Sequence, residues 1–411
     1  MTEFLHALTL DAGYNAALVV VGAALLGFSA GMAGTFLFLR KRALVCDALA
    51  HATLPGVCLA FVIMVMLGGD GRNLAGLLFG SAVTASIGLL IITWMTQKTR
   101  LTEDAAIGAV LSVFFGMGVV LLTIIQSMSS GSQAGLEKFL LGATAGMLFQ
   151  DAMIIAAGGG LAVAMTLLIR RPMTLVAFDA GYASTRGYDI RQIDLAMMAL
   201  VLAVTVIGLK IVGLIMIVAL LIIPAVTARF WTERSDHVLW IASIIGTLSG
   251  YIGAALSASV PALPTGPIIV LICAAIFVLS LLFAPARGVV TAVYHHWQFQ
   301  RRVHLRQGLL ALVRSEAIHD TFTLATLRAA GYIRKDGVAT AAGRTQAAQA
   351  AHDERRWEVA RRLHSDEALT SRYDGLTSID AVFTSDEITE FDSILGVSST
   401  ILDYNKRGDP A

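Results

Sequence analysis

Apolar residues run in long blocks over the first 285 positions, broken only by short polar or basic interruptions. A helix needs about 20 such residues to cross the hydrocarbon core of a bilayer. The blocks predict spans near 16–39, 43–67, 74–95, 105–126, 151–169, 194–211, 213–231, 238–258 and 266–284. The stretch 136–150 is too short to span and reads as a half-helix or an interfacial piece. The count is eight or nine, and charge favours nine. The basic groups Arg40-Lys41-Arg42, Lys98 and Arg100, Arg170-Arg171, Arg186 and Arg191, and Arg229 and Arg234 share one side only if nine spans alternate. The positive-inside rule makes that side cytoplasmic, with the N-terminus outside and the tail inside.

Composition sharpens the boundary. Only 14% of the 411 residues are charged and 56% are hydrophobic, whereas a soluble protein averages about 25% charged. Residues 286–411 hold 32 of the 59 Asp, Glu, Lys and Arg residues, 16 of each sign. This divides the chain into a membrane domain, 1–285, and a water-soluble extension, 286–411. The net charge of +1 gives no bulk attraction for nucleic acid. Cys46, Cys58 and Cys273 sit in apolar runs without CxxC spacing, so neither a disulfide framework nor a zinc knuckle is expected. No signal peptide is apparent in Met1 to Asn15.

The candidate chemistry lies in Leu44–Gly56. Asp47 and His51 are four residues apart inside an apolar run, so on a helix they share one face. Ionisable residues in a span are costly and mark function by default. A carboxylate beside an imidazole suits divalent Mn, Fe or Zn. The plainer alternative is that the two only hydrogen-bond a neighbouring helix. Cys46 is adjacent, but its side chain diverges from that of Asp47 by about 100°. Pro55-Gly56 predicts a kinked or broken helix lining a cavity. Asp47 follows Arg42 by five residues, about 7 Å of rise, which places it nearer the basic edge than the midplane unless the segment re-enters. Lys210, at the join of two candidate spans, is expected to snorkel to the outer interface.

After the basic stop Arg170-Arg171-Pro172, residues 174–190 are too polar to span. They predict a short amphipathic helix from Asp179 through Arg186, closed by Gly187. Gly158-Gly159-Gly160 reads as a close helix-packing site and not a nucleotide loop.

Four ordered stretches carry a resemblance. They are Leu44–Gly56; Thr99-Arg100-Leu101-Thr102-Glu103-Asp104-Ala105-Ala106-Ile107-Gly108; Phe178-Asp179-Ala180-Gly181-Tyr182-Ala183 through Gly187 with Val212–Arg229; and Leu263-Pro264-Thr265-Gly266-Pro267. Together they resemble the membrane permease subunit of the zinc/manganese/iron ABC importers. Cys46 replaces the usual Gly, Ala50 the usual Ser, and Pro261-Ala262 stands where an acid is usual. The resemblance implies an all-α polytopic, type II importer-like fold. It also implies a paired permease, a homodimer or a pair with a similar subunit, in the bacterial cytoplasmic membrane. An ATP-hydrolysing subunit would sit below and a metal-delivering solute-binding protein outside. Asp47 and His51 would lie on the metal route. The segment carrying Phe178, Asp179, Gly181, Tyr182, Ala183 and Gly187 would dock on the ATPase, with Glu103 and Asp104 as a second contact.

The chain contains no G-x-x-x-x-G-K-[ST], HExxH or GxSxG motif. It is therefore read as a passage without its own ATPase, holding no resident cofactor, while the partner consumes ATP and the metal is cargo. A siderophore or cobalamin permease, or a proton-driven carrier, are the alternatives; the second usually shows inverted repeats, and none is evident.

In the extension, 286–320 predicts a basic helix, 323–331 a helix ended by Gly331, and 338–360 another. A two-stranded wing between the last two would complete a winged-helix pattern, similar to the DNA-binding half of manganese- and iron-dependent repressors. A regulatory or subunit-contact role follows, and balanced charge argues against DNA. His295, His296, His304, His319, His352 and His364 are too scattered to predict a sensing site. Ser378–Leu395 is acidic and periodic, before a polar terminus.

Overall fold

The computed structural model describes residues 2–11, 13–69, 73–127, 149–260, 263–363 and 373–396. Its helices are α1 (Thr2–Leu8), α2 (Tyr14–Leu39), α3 (Ala43–Met66), α4 (Leu74–Lys98), α5 (Glu103–Ser127), α6 (Phe149–Phe178), α7 (Ala180–Thr185), α8 (Ile190–Val212), α9 (Leu214–Trp231), α10 (Ser235–Ser259) and α11 (Thr265–Phe283). After these come α12 (Val289–Arg314), α13 (Thr321–Ala329), α14 (Ala341–Leu363), a 3-10 turn at Ile379–Ala381, and α15 (Ser385–Ile394). Contacts divide the chain into Met1–Thr291 and Ala292–Ala411.

Eight helices of the first unit, α2 to α6, α8, α10 and α11, are long and apolar enough to cross a membrane. The apolar helix α9 is shorter, 18 residues or about 27 Å. Only Gly213, at φ +84°, separates it from α8. The side chain of Lys210 and most of the 136–150 piece lie outside the described residues.

The bundle is organised around α2, which packs on α3, α6, α8, α9 and α10. Its closest neighbour is α10. A Cβ on Gly27 would fall 2.0 Å from the Gly246 carbonyl oxygen, and one on Gly246 would fall 2.1 Å from that of Gly27. Such backbone contact maximises dispersion where lipid offers no hydrophobic drive for helix association. Helices α3, α4 and α5 pack on one another and join the rest through α8 and α9. Outward faces are apolar, with Phe79, Trp94, Val113, Leu168 and Leu271 well exposed.

Two local expectations are corrected. Helix α3 continues without a break through Pro55 and does not re-enter. Gly56 lies so close to α4 that a Cβ there would be 2.2 Å from the Gly80 carbonyl oxygen and the Thr84 hydroxyl, and this packing holds the helix where Pro55 removes one bond. Helix α6 does not stop at Arg170-Arg171; it runs 30 residues, through Pro172, to Phe178. Of the three consecutive glycines on α6, Gly158 meets Ile207 and Gly159 meets Ser29, while Gly160 faces open space.

The second unit is small and helical. Trp357 is fully buried against Ile379, Phe383 and Phe391. The expected two-stranded wing is reduced to one isolated bridge, Ile333 with Ala339, and the described residues contain no named strand. Arg334, Lys335, Asp336 and Gly337 leave too few apolar alternating positions to extend the pairing.

Candidate functional site

Helix α3 begins at Ala43, directly after the turn of Arg40, Lys41 and Arg42. Asp47 is therefore in its second turn and His51 one turn further. His51 Nε2 lies 3.5 Å from Asp47 Oδ1, a contact longer than a good hydrogen bond. The Asp47 side chain is 44% exposed and that of His51 20%, so the pair opens on the outside of this single chain. The imidazole edge meets the Phe115 ring of α5, with centroids 5.0 Å apart. His51 Nδ1 is buried without a hydrogen-bond partner. A neutral imidazole carries one lone-pair nitrogen and is a common metal ligand, and neither ring nitrogen of His51 is taken by a well-formed hydrogen bond. Cys46 is fully buried. Among the described residues no group of three or more His, Cys, Asp or Glu comes together. Asp47 and His51 are thus a pair of ligand-type side chains, fewer than the four donors a tetrahedral transition-metal site takes.

The second candidate surface is α7. Asp179 caps it, its carboxylate accepting from the Tyr182 backbone N–H at 2.8 Å. Gly187, at φ +84°, ends the segment where a side chain would be strained. Ala183 is fully buried, whereas Phe178 and Tyr182 are exposed and Gly181 faces solvent with them. Arg186 lies over the Tyr182 ring at 5.3 Å and donates from Nε to its hydroxyl at 2.8 Å. The result is a capped knob with an aromatic face.

Glu103 and Asp104 open α5, where carboxylates complement the helix dipole. Asp104 is exposed. Glu103 instead pairs with Arg42, Nε to Oε1, at 2.9 Å. Sequence reasoning missed that partner. It also missed Arg40 and Asp194, whose Nε and Oδ1 are 3.1 Å apart. The basic triplet was informative for topology alone, and the available signal was Asp194, an acid at the edge of an apolar run.

Comparison with known proteins identifies the family of the chain. Residues 14–284 match the profile described as the ABC 3 transport family. The chain is 38% identical over 298 residues to the manganese transport system membrane protein MntC of Bacillus subtilis (strain 168), covering 72% of this chain and 67% of that protein. It is 36% identical to the zinc transport system membrane protein TroC of Treponema pallidum (strain Nichols), covering 74% of this chain and 99% of the relative. Among solved structures, PsaBC from Streptococcus pneumoniae in complex with Fab aligns with a TM-score of 0.60 at 26% identity, covering 70% of this chain and 97% of that one.

Proposed function

The chain belongs to the ABC 3 transport family, and from that premise we propose that Asp47 and His51 are transient ligands on the route of a divalent transition metal. The protein is the transmembrane permease subunit of a metal-ion ABC importer. Manganese and zinc, the metals in the names of its relatives, are the cargo this reading favours, with iron as a third candidate. The observation that carries it is the half-exposed Asp47 beside an imidazole whose Nδ1 has no partner. A carboxylate directed at lipid is expensive. The pair therefore faces a second permease subunit, a copy of this chain or a similar one, which supplies the remaining ligands. Two weak ligands per subunit also suit conduction, which needs binding loose enough to release the ion.

The remaining parts follow the same logic. The α7 knob docks on a separate ATPase subunit, and the loop at Glu103 and Asp104 is its second contact. A solute-binding protein delivers metal from outside. The chain sits in the bacterial cytoplasmic membrane with residues 286–411 inside, where they serve regulation or subunit contact. ATP is hydrolysed by the partner, since the sequence has no phosphate loop.

The test is uptake of radioactive Mn, Zn and Fe, offered separately, by cells expressing the whole transporter. Asp47→Asn and His51→Ala are expected to assemble normally and lose uptake by about tenfold or more, since even loss of a group that only orients a metal ligand costs about that much. Normal transport by both variants would make the pair structural.

A further inference from the structure

The turn between α2 and α3 is tied to both sides of α7. Arg40 Nη1 donates to the Val176 carbonyl at 3.1 Å, in the last turn of α6. The same guanidinium grips Asp194, Nε to Oδ1 at 3.1 Å and Nη2 to Oδ2 at 3.2 Å. Asp194 lies in the second turn of α8. Val176 precedes α7 by four residues and Asp194 follows it by nine. Arg42 adds a third link, with Nη1 3.2 Å from Asp194 Oδ2 and Nε 2.9 Å from Glu103 Oε1 on α5. These groups are only partly shielded, with 16% of the Asp194 side chain and 26% of that of Arg42 exposed.

The cluster borders open space. A cavity of about 220 Å³ is lined by Arg42, Glu103, Arg191 and Asp194 on one wall and by Thr93 and Thr96 of α4 on another. Two guanidinium groups and two carboxylates around one cavity can exchange pairs without leaving a buried charge alone, which is the costly state. A tightly packed core would resist such a change.

We propose that Asp194 is a positioning residue for transport, converting displacement of α7 into movement of α3 through Arg40 and Arg42 and so setting the position of Asp47 and His51. Arg42 is the residue immediately before α3, five positions ahead of Asp47, so a pull on the arginine reaches the carboxylate through little more than one turn of helix. Arg191, on the same cavity, is the cation that receives Asp194 or Glu103 when Arg42 leaves. This rests on the reading of α7 as the ATPase contact.

The experiment uses the complete transporter in liposomes with Mn²⁺ as the probe, measuring metal accumulated and phosphate released in the same vesicles. In Asp194→Asn, metal moved per ATP is expected to fall about tenfold, within the usual range of coupling energies. Asp194→Glu is expected to restore the ratio to within about twofold. Arg42→Gln cuts the same link from the other side and is read in the same way, which covers poor assembly of the first variant. An unchanged ratio, whether uptake and hydrolysis fall together or neither falls, overturns the proposal. A Ser184→Cys cross-link to the ATPase subunit is run in parallel; the three native cysteines are buried. If it forms while the ratio stays constant, only the role of Asp194 is lost. If it does not form in the otherwise native protein, the α7 reading fails and this proposal falls with it.

Discussion

Arg356 of α14 and Asp392 of α15 form a buried two-pronged pair, with Nε to Oδ1 at 2.6 Å and each residue only 8% exposed. The pair fastens α15 beside the Trp357 core, although the two residues are 36 positions apart in sequence. Asp392→Ala removes both acceptor oxygens and leaves Asp353, 3.6 Å away, as the carboxylate still paired with the guanidinium. Loss of one partner of a buried pair costs roughly 3–5 kcal/mol. Faster hydrogen exchange of α14 and α15 in the full chain is the expected outcome, with α2 to α5 unchanged.

His352 gives the same unit a pH dependence. Burial holds its imidazole below the ordinary value of 6.5, and Arg356 and Arg355 add to the effect while Asp392 and Asp353 oppose it. The folded form thus binds fewer protons than the unfolded form. Stability from this group is complete above about 6.5 and is lost as pH falls through the depressed folded value. In a full chain keeping Trp357 as its sole tryptophan, the urea midpoint should be lower at about pH 5.5 than at about pH 7.5. His352→Asn should flatten that difference.

The cap on α7 separates helix integrity from surface chemistry. Asp179→Ala removes the acceptor for Tyr182 N–H, a loss of about 1 kcal/mol in a six-residue helix. ATP-driven metal uptake should fall while the amount of protein in the membrane stays constant. Asp179→Asn, which can still cap, should retain most of the uptake.

The α2–α10 crossing tolerates no side chain. Gly27→Ala drives a methyl group into the Gly246 carbonyl, and overpacking of this kind costs about 1–3 kcal/mol or more. Thermal stability of the detergent-solubilised protein should drop. Gly160→Ala, where a Cβ meets nothing within 4 Å, is the control and should leave it nearly unchanged.

Local pattern alone determined much of this protein. Long apolar runs announce membrane helices because an unsatisfied backbone is too costly in lipid. A four-residue spacing put Asp47 and His51 on one face because helical geometry repeats at that interval. Gly187 marked the end of α7 because a positive φ favours glycine. The tertiary structure decided what depends on distant partners. It carried α6 past Arg170-Arg171-Pro172, and it kept α3 whole at Pro55 by pressing Gly56 onto α4. It left Asp47 half-exposed while burying His51 Nδ1. It brought Arg40 to Asp194 across 154 positions. Periodicity reports which face of a helix is polar, but the partner for that face comes from another helix, and only packing selects it.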